Sequence, residues 1–127
     1  MDNGLFLNSQ PYSIDPEADE YSVYVSKAME LISKNFSSGI TLEDLSESVR
    51  ISPKYLSSLF KKEVGCGVYS VITIMRIARA KEVLASYSSI KEAAFEVGFK
   101  CPKSFSKMFR RITGESPSEY KRRLLMQ

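Results

Sequence analysis

The sequence predicts an all-α fold of seven helices, arranged as two helix-turn-helix subdomains joined by a long connecting helix. Three observations carry that reading. After residue 21 the apolar residues recur at spacings of three and four, as on one face of a helix. Serine, threonine, proline and glycine punctuate these runs where helices start and stop. No segment alternates apolar and polar residues as a half-buried strand does.

Each element follows from its own residues. Val25, Met29, Ile32 and Phe36 form the apolar face of a first helix that Ser37-Ser38-Gly39 ends. Thr41 opens a second, faced by Leu42, Leu45 and Val49. Ser52 followed by Pro53 at the first helical position starts a third, with Leu56, Leu59 and Phe60 inward, and Gly65 stops it. A fourth helix runs over 68–86 with Val71, Ile72, Met75, Ala78, Val83 and Leu84 on its apolar face. At about 1.5 Å per residue it is roughly 28 Å long, enough to separate two units. Ser89-Ile90-Lys91-Glu92 reads as a capping box for a helix reaching about Val97, and Pro102 opens the next, which runs to Thr113. Ser116-Pro117-Ser118-Glu119 repeats the capping signal for a last helix over 116–125.

Composition narrows the function classes. The 127 residues with 43% hydrophobic content suit one domain with a compact core. No run of about 18 apolar residues could span a membrane, and the N-terminus lacks a signal-peptide pattern, so the expected location is cytoplasmic. The two cysteines, Cys66 and Cys101, suit a reducing compartment. With no histidine, no glycine-rich phosphate loop and no paired nucleophile and base, an enzyme is not expected, nor is a metal site or cofactor.

Charge points to a partner. Residues 1–20 hold Asp2, Asp15, Glu17, Asp19 and Glu20 and no lysine or arginine, and read with Pro11 and Pro16 as an acidic flexible tail or linker. Residues 21–127 then carry 18 basic against 10 acidic side chains, a net +8. That balance on a small helical domain favours a polyanion.

An internal repeat sharpens this. TLEDLSESVRISPKYLSSLFKKEVG, from Thr41, aligns with SIKEAAFEVGFKCPKSFSKMFRRITG, from Ser89. Val49 matches Val97, Ile51 matches Phe99, Pro53-Lys54 matches Pro102-Lys103, Phe60 matches Phe109 and Gly65 matches Gly114. Each unit, 41–65 and 89–114, is a short helix, a tight turn and a second helix with a basic C-terminal half. A helix fits the major groove of B-DNA, and its N-terminal residues meet base edges. In the first unit Lys54, Ser57 and Ser58 point outward near that end, with Lys61 and Lys62 behind them. In the second, Lys103, Ser104, Ser106 and Lys107 do so, with Arg110 and Arg111 behind. Ser52 aligns with Cys101, which makes Cys101 the N-cap of the second such helix.

IKEAAFEVGF, then KSFSKMFRRITGESPSEYKRR, with RIARAKEVL in the connecting helix, resemble the DNA-binding domain of AraC/XylS-type bacterial transcription regulators. The resemblance covers about residues 22–125. It implies two recognition helices in successive major grooves of double-stranded DNA, and contacts to RNA polymerase. It assigns base contact to Lys54, Ser57, Ser58, Lys103, Ser104, Ser106 and Lys107. Phosphate contact falls to Lys61, Lys62, Arg110 and Arg111, with Arg50 as a further candidate. The domain is expected to be monomeric on its own, either as a complete small regulator or behind a sensor or receiver domain. A helical protein–protein adaptor is the alternative function class. Three positions depart from the family pattern. Arg50 stands where the second unit has Gly98, so either the first turn differs or Arg50 is held by a phosphate. Gly67-Val68 replaces the usual Ser/Thr-Pro before the connecting helix, and Cys101 replaces a polar residue.

Overall fold

The computed structural model describes residues 14–18, 20–86 and 89–126, together with the backbone of 5–7 and 10–12. Seven helices follow one another: α1 (Val23–Asn35), α2 (Leu42–Val49), α3 (Pro53–Glu63), α4 (Val68–Val83), α5 (Ile90–Glu96), α6 (Pro102–Thr113) and α7 (Pro117–Leu125). Ahead of them, within the segment read as a tail, two three-residue strands, β1 (Leu5–Leu7) and β2 (Gln10–Tyr12), pair antiparallel with Phe6 opposite Pro11. Ile14, from the same segment, is buried and lines a cleft with Ser33 and Phe36 of the first helical unit and Met75 and Ala78 of α4.

The helix boundaries follow the capping chemistry. Ser22, Ser52, Ser89 and Ser116 each accept a hydrogen bond from the backbone N–H three residues on, at 3.3, 3.1, 3.2 and 3.1 Å. Reciprocal capping boxes close at Ser116/Glu119 and at Thr41/Asp44, where an aspartate does the work usually given to Glu or Gln. The connecting helix is shorter than its sequence suggests: α4 has 16 residues, about 24 Å, with Leu84 as its C-cap and a turn closed by the Ser86 N–H on the Val83 carbonyl in place of a further helical turn. Its N-cap, Gly67, offers no side-chain hydrogen bond.

The repeat is one helix deeper than the aligned segments. α1–α2–α3 and α4–α5–α6 are equivalent three-helix units, and both lead helices begin Val-Tyr, at Val23-Tyr24 and Val68-Tyr69. α4 is therefore both the connector and the first helix of the second unit. Its buried residues Val71, Ile72, Ile74 and Ile77 join one continuous core with Met29, Ile32, Leu45, Leu56 and Phe60 from the first unit. The same core takes in Ala93, Ala94, Phe105 and Phe109 from the second. In the second unit the rings of Phe99, Phe105, Phe109 and Tyr120 form a chain with successive centroids 5.3, 5.7 and 5.5 Å apart. Edge-to-tilted contacts of this kind add directional preference to area burial, so they fix the inner face of α6 and seat α7 behind it.

Candidate nucleic-acid interface

α3 and α6 present the same arc outward. Leu56 and Phe60 of α3 and Phe105, Phe109 and Ile112 of α6 are buried. On the opposite side, by the 3.6-residue period, Lys54, Ser58, Lys61 and Lys62 of α3 are exposed, as are Lys103, Ser104, Lys107, Arg110 and Arg111 of α6. Equivalent positions lie 49 apart, so Lys54 matches Lys103, Ser58 matches Lys107, and Lys61-Lys62 match Arg110-Arg111. Ser57 and Ser106 differ from the rest of the predicted set: both are half-buried on the flank of the arc, beside the core-facing residues. Leu59, expected inward, is likewise half-buried, as is Met108, its equivalent in α6.

Among the described residues, Lys54, Lys61, Lys62, Lys103 and Lys107 form no ion pair. Their charge is therefore available to a ligand. Arg110 is placed differently: its Nη1 lies 3.3 Å from Oε1 of Glu119, the same oxygen that accepts from the Ser116 N–H. That N–H holds the Glu119 carboxyl below its usual range, followed by smaller contributions that include Arg110. A phosphate at Arg110 would compete with this exposed pair, which is weak in water.

The backbone at Arg50 answers the first of the alternatives left open by the sequence, a turn that differs. Arg50 caps α2 in the left-handed region, at φ 63° and ψ 39°, and is the one non-glycine residue with positive φ among those described. The first turn therefore has the same geometry class as the second, in which Gly98 has φ 108°. The difference between the two turns lies outside them. A Cβ on Gly98 would stand 2.8 Å from the Cα of Ser37, whereas Arg50 is exposed to solvent and has room for its side chain.

Cys101 occupies the N-cap position of α6, as the alignment with Ser52 implies, but makes no side-chain capping bond of hydrogen-bond geometry. A longer C–S bond and a diffuse acceptor account for that. The thiol nevertheless feels the helix start: the Ser104 backbone N–H foremost, then that of Lys103, lowers its pKa below the usual thiol value. Burial pushes Cys66 the other way. Cys101→Ser is expected to supply the missing cap and raise stability by about 0.5–1 kcal/mol, read as a shift in the thermal unfolding midpoint. An unchanged midpoint would mean that solvent already satisfies the first-turn N–H groups.

Tyr55 is an exposed aromatic residue on α3 that sequence reasoning passes over. It is 51% exposed on α3, at the position equivalent to Ser104, and its ring meets that of Tyr24 edge-on at 6.5 Å. The repeat alignment contains the signal, because it pairs Tyr55 with Ser104.

The comparisons agree with this geometry. A family model described as a helix-turn-helix domain matches residues 45–123. The lactose operon transcription activator of Staphylococcus xylosus is 33% identical over 112 residues, which is 87% of this chain and 40% of that protein. The chain thus spans less than half the length of this relative. Among solved structures, the C-terminal domain of AraT, a response regulator from Geobacillus stearothermophilus, superposes with a TM-score of 0.76 at 37% identity, covering 82% of this chain and 88% of that one. The DNA-binding domain of AdpA, a structure in complex with a target DNA, shares the fold at a TM-score of 0.76 and 21% identity, covering 83% and 96% of the two chains. With two helix-turn-helix units, a shared connecting helix and these matches, the chain belongs to the AraC/XylS family of transcription regulators, as its helix-turn-helix DNA-binding domain.

Proposed function

We infer that the chain binds double-stranded DNA in a sequence-specific manner to regulate transcription, with α3 and α6 inserted into successive major grooves. The observation that carries this is the recurrence, 49 residues apart, of one exposed arc of cations and small hydroxyls on two helices whose opposite faces are buried in one core. Successive grooves on one face of B-DNA lie about 34 Å apart. A 16-residue connecting helix, about 24 Å long, is of the right scale to hold two such helices. Lys54 and Ser58 in α3, and Lys103, Ser104 and Lys107 in α6, have the exposure that base readout needs. Ser57 and Ser106 reach DNA only from the edge of the arc. Arg50, Lys61, Lys62, Arg110 and Arg111 suit phosphates. The domain acts as a monomer that reads two half-sites and contacts RNA polymerase at promoters, either as a complete small regulator or under the control of a sensor or receiver domain that precedes it. No helix among the described residues is long and apolar enough to cross a membrane, which fits work on DNA in the cytoplasm.

Selection of bound sequences from random DNA tests the reading directly. Two short preferred blocks about one helical turn apart are expected; a single block would leave one unit without a DNA role. On the selected site, Lys103→Ala should weaken binding by about 1–3 kcal/mol while affecting random DNA less, whereas Arg111→Ala should weaken both alike. Equal losses for Lys103→Ala on both DNAs would remove it from base readout.

A further inference from the structure

The two units meet at a contact that the reading of DNA does not by itself require. Arg76, in the middle of α4, is half-buried. Its Nε donates to the carbonyl of Phe36 at 2.6 Å, one of the acceptors left open at the C-terminus of α1. The same guanidinium lies over the ring of Phe99, 5.6 Å from its centroid, in the turn between α5 and α6. Among the described residues it forms no ion pair. Gly98, next to Phe99, leaves room for this: a Cβ there would stand 3.0 Å from Arg76 Nε and 3.0 Å from the carbonyl oxygen of Ser37. One cation thus touches the end of the first unit's lead helix and the turn that launches the second recognition helix. Phe99 passes the constraint on, since its ring packs on Phe105 of α6 at 5.3 Å.

We propose that Arg76 is a positioning residue that sets the distance and rotational phase between α3 and α6, and so determines which operator spacer length the protein accepts. The proposal rests on the two-groove reading above. A guanidinium suits the task because it can donate to the carbonyl from one nitrogen while its delocalised charge lies over the ring, so one side chain engages two directions at once. Burial lowers its pKa, yet arginine stays charged at any working pH, so the contact is not lost to titration. Inserting one base pair moves a half-site by about 3.4 Å along the axis and rotates it by roughly a tenth of a turn, far beyond what a stacked and hydrogen-bonded contact absorbs.

The experiment measures binding of the wild-type domain, Arg76→Met, Arg76→Lys and Phe99→Leu to duplexes carrying the two selected blocks at the preferred spacer and at spacers one or two base pairs longer or shorter. For wild type, each base pair of change should cost about tenfold in affinity, the order of one mismatched position. Arg76→Met, which keeps length and apolar contact but cannot donate, should flatten that dependence to less than about threefold. Its affinity for a single block should stay within about twofold of wild type, a pattern that general loss of stability would not give. Phe99→Leu, which removes the ring and leaves the Phe36 carbonyl contact, should flatten it in part and keeps the test open if Arg76→Met does not fold. Arg76→Lys retains a donor and should restore part of the preference. Undiminished spacer preference in both Arg76→Met and Phe99→Leu would overturn the proposal alone. A wild-type protein indifferent to spacer would overturn the two-groove reading and the proposal with it.

Discussion

DNA affinity should fall by about 10³-fold or more between roughly 50 and 200 mM salt, the steepest response expected of this domain. The reasoning starts from charge placement. Residues 21–127 carry a net +8, and the exposed cations of α3, α6 and the first turn lie on the faces that would meet DNA. If about six of them neutralise phosphates, the logarithm of the binding constant should change with the logarithm of salt with a slope of about −5, because each contact releases condensed counterions. Arg110 should contribute less than its neighbours. Glu119 already compensates part of its charge, and a phosphate would gain only what that exposed pair gives up. The measurement is a mobility shift or anisotropy titration at several salt concentrations on the selected site and on random DNA. A slope near zero would point to an adaptor that recognises protein through apolar contacts, and would withdraw the DNA reading. Comparable slopes on both DNAs, with a constant affinity ratio between them, would separate phosphate anchoring from base readout.

How far the sequence discloses this arrangement depends on the range of the interaction involved. Helix starts are local, and Ser52-Pro53, Ser116-Pro117 and the apolar spacings place α3, α6 and α7 within a residue of their observed bounds. The extra turn assigned to α4 fails because the apolar pattern runs to Leu84, its C-cap, while 84–86 close as a turn through the Ser86 N–H and the Val83 carbonyl. The Thr41/Asp44 box is also local but uses a shorter carboxylate than the pattern sought. Side-chain orientation on the recognition helices is legible from the 3.6-residue period, except at the flanks of the arc, where Ser57 and Ser106 face neither core nor solvent fully. That boundary is set by which neighbouring helix packs there. What lies beyond sequence reading is the contact between units. Nothing in RIARAKEVL tells which of its two arginines will find the Phe36 carbonyl: Arg76 does, while Arg79 is exposed and pairs with Glu82 at 2.6 Å. Tyr55 was within reach, since the repeat that selected Ser104 also selects it.

The two turns should respond in opposite directions to exchanging their key residues. Gly98→Ala is expected to destabilise the domain by about 3 kcal/mol, from roughly 1–2 kcal/mol for a left-handed conformation in an L-residue and 1–3 kcal/mol for overpacking. The overpacking has little means of relief. The nearest atom to the new Cβ is the Cα of Ser37 at 2.8 Å, part of the main chain that ends α1, so no side-chain rotation removes the clash. Arg50→Gly places glycine in the conformation that Arg50 already adopts at φ 63°, with no neighbour to clash. Relief of the left-handed strain, offset by the larger unfolded-state entropy of glycine, should leave it stabilised by up to about 1 kcal/mol. Denaturant unfolding of the two variants checks both signs. DNA binding should separate them again. If Arg50 meets a phosphate, Arg50→Gly should lose about one unit of salt slope while its fold is firmer, which is the signature of a residue kept in a strained conformation for its charge. Gly98→Ala, if the α5–α6 turn moves away from α1 to admit the methyl group, must also pull Phe99 from under Arg76. Tolerance of Gly98→Ala within about 1 kcal/mol would therefore mean that the units are less firmly joined at this turn than a 2.8 Å approach requires.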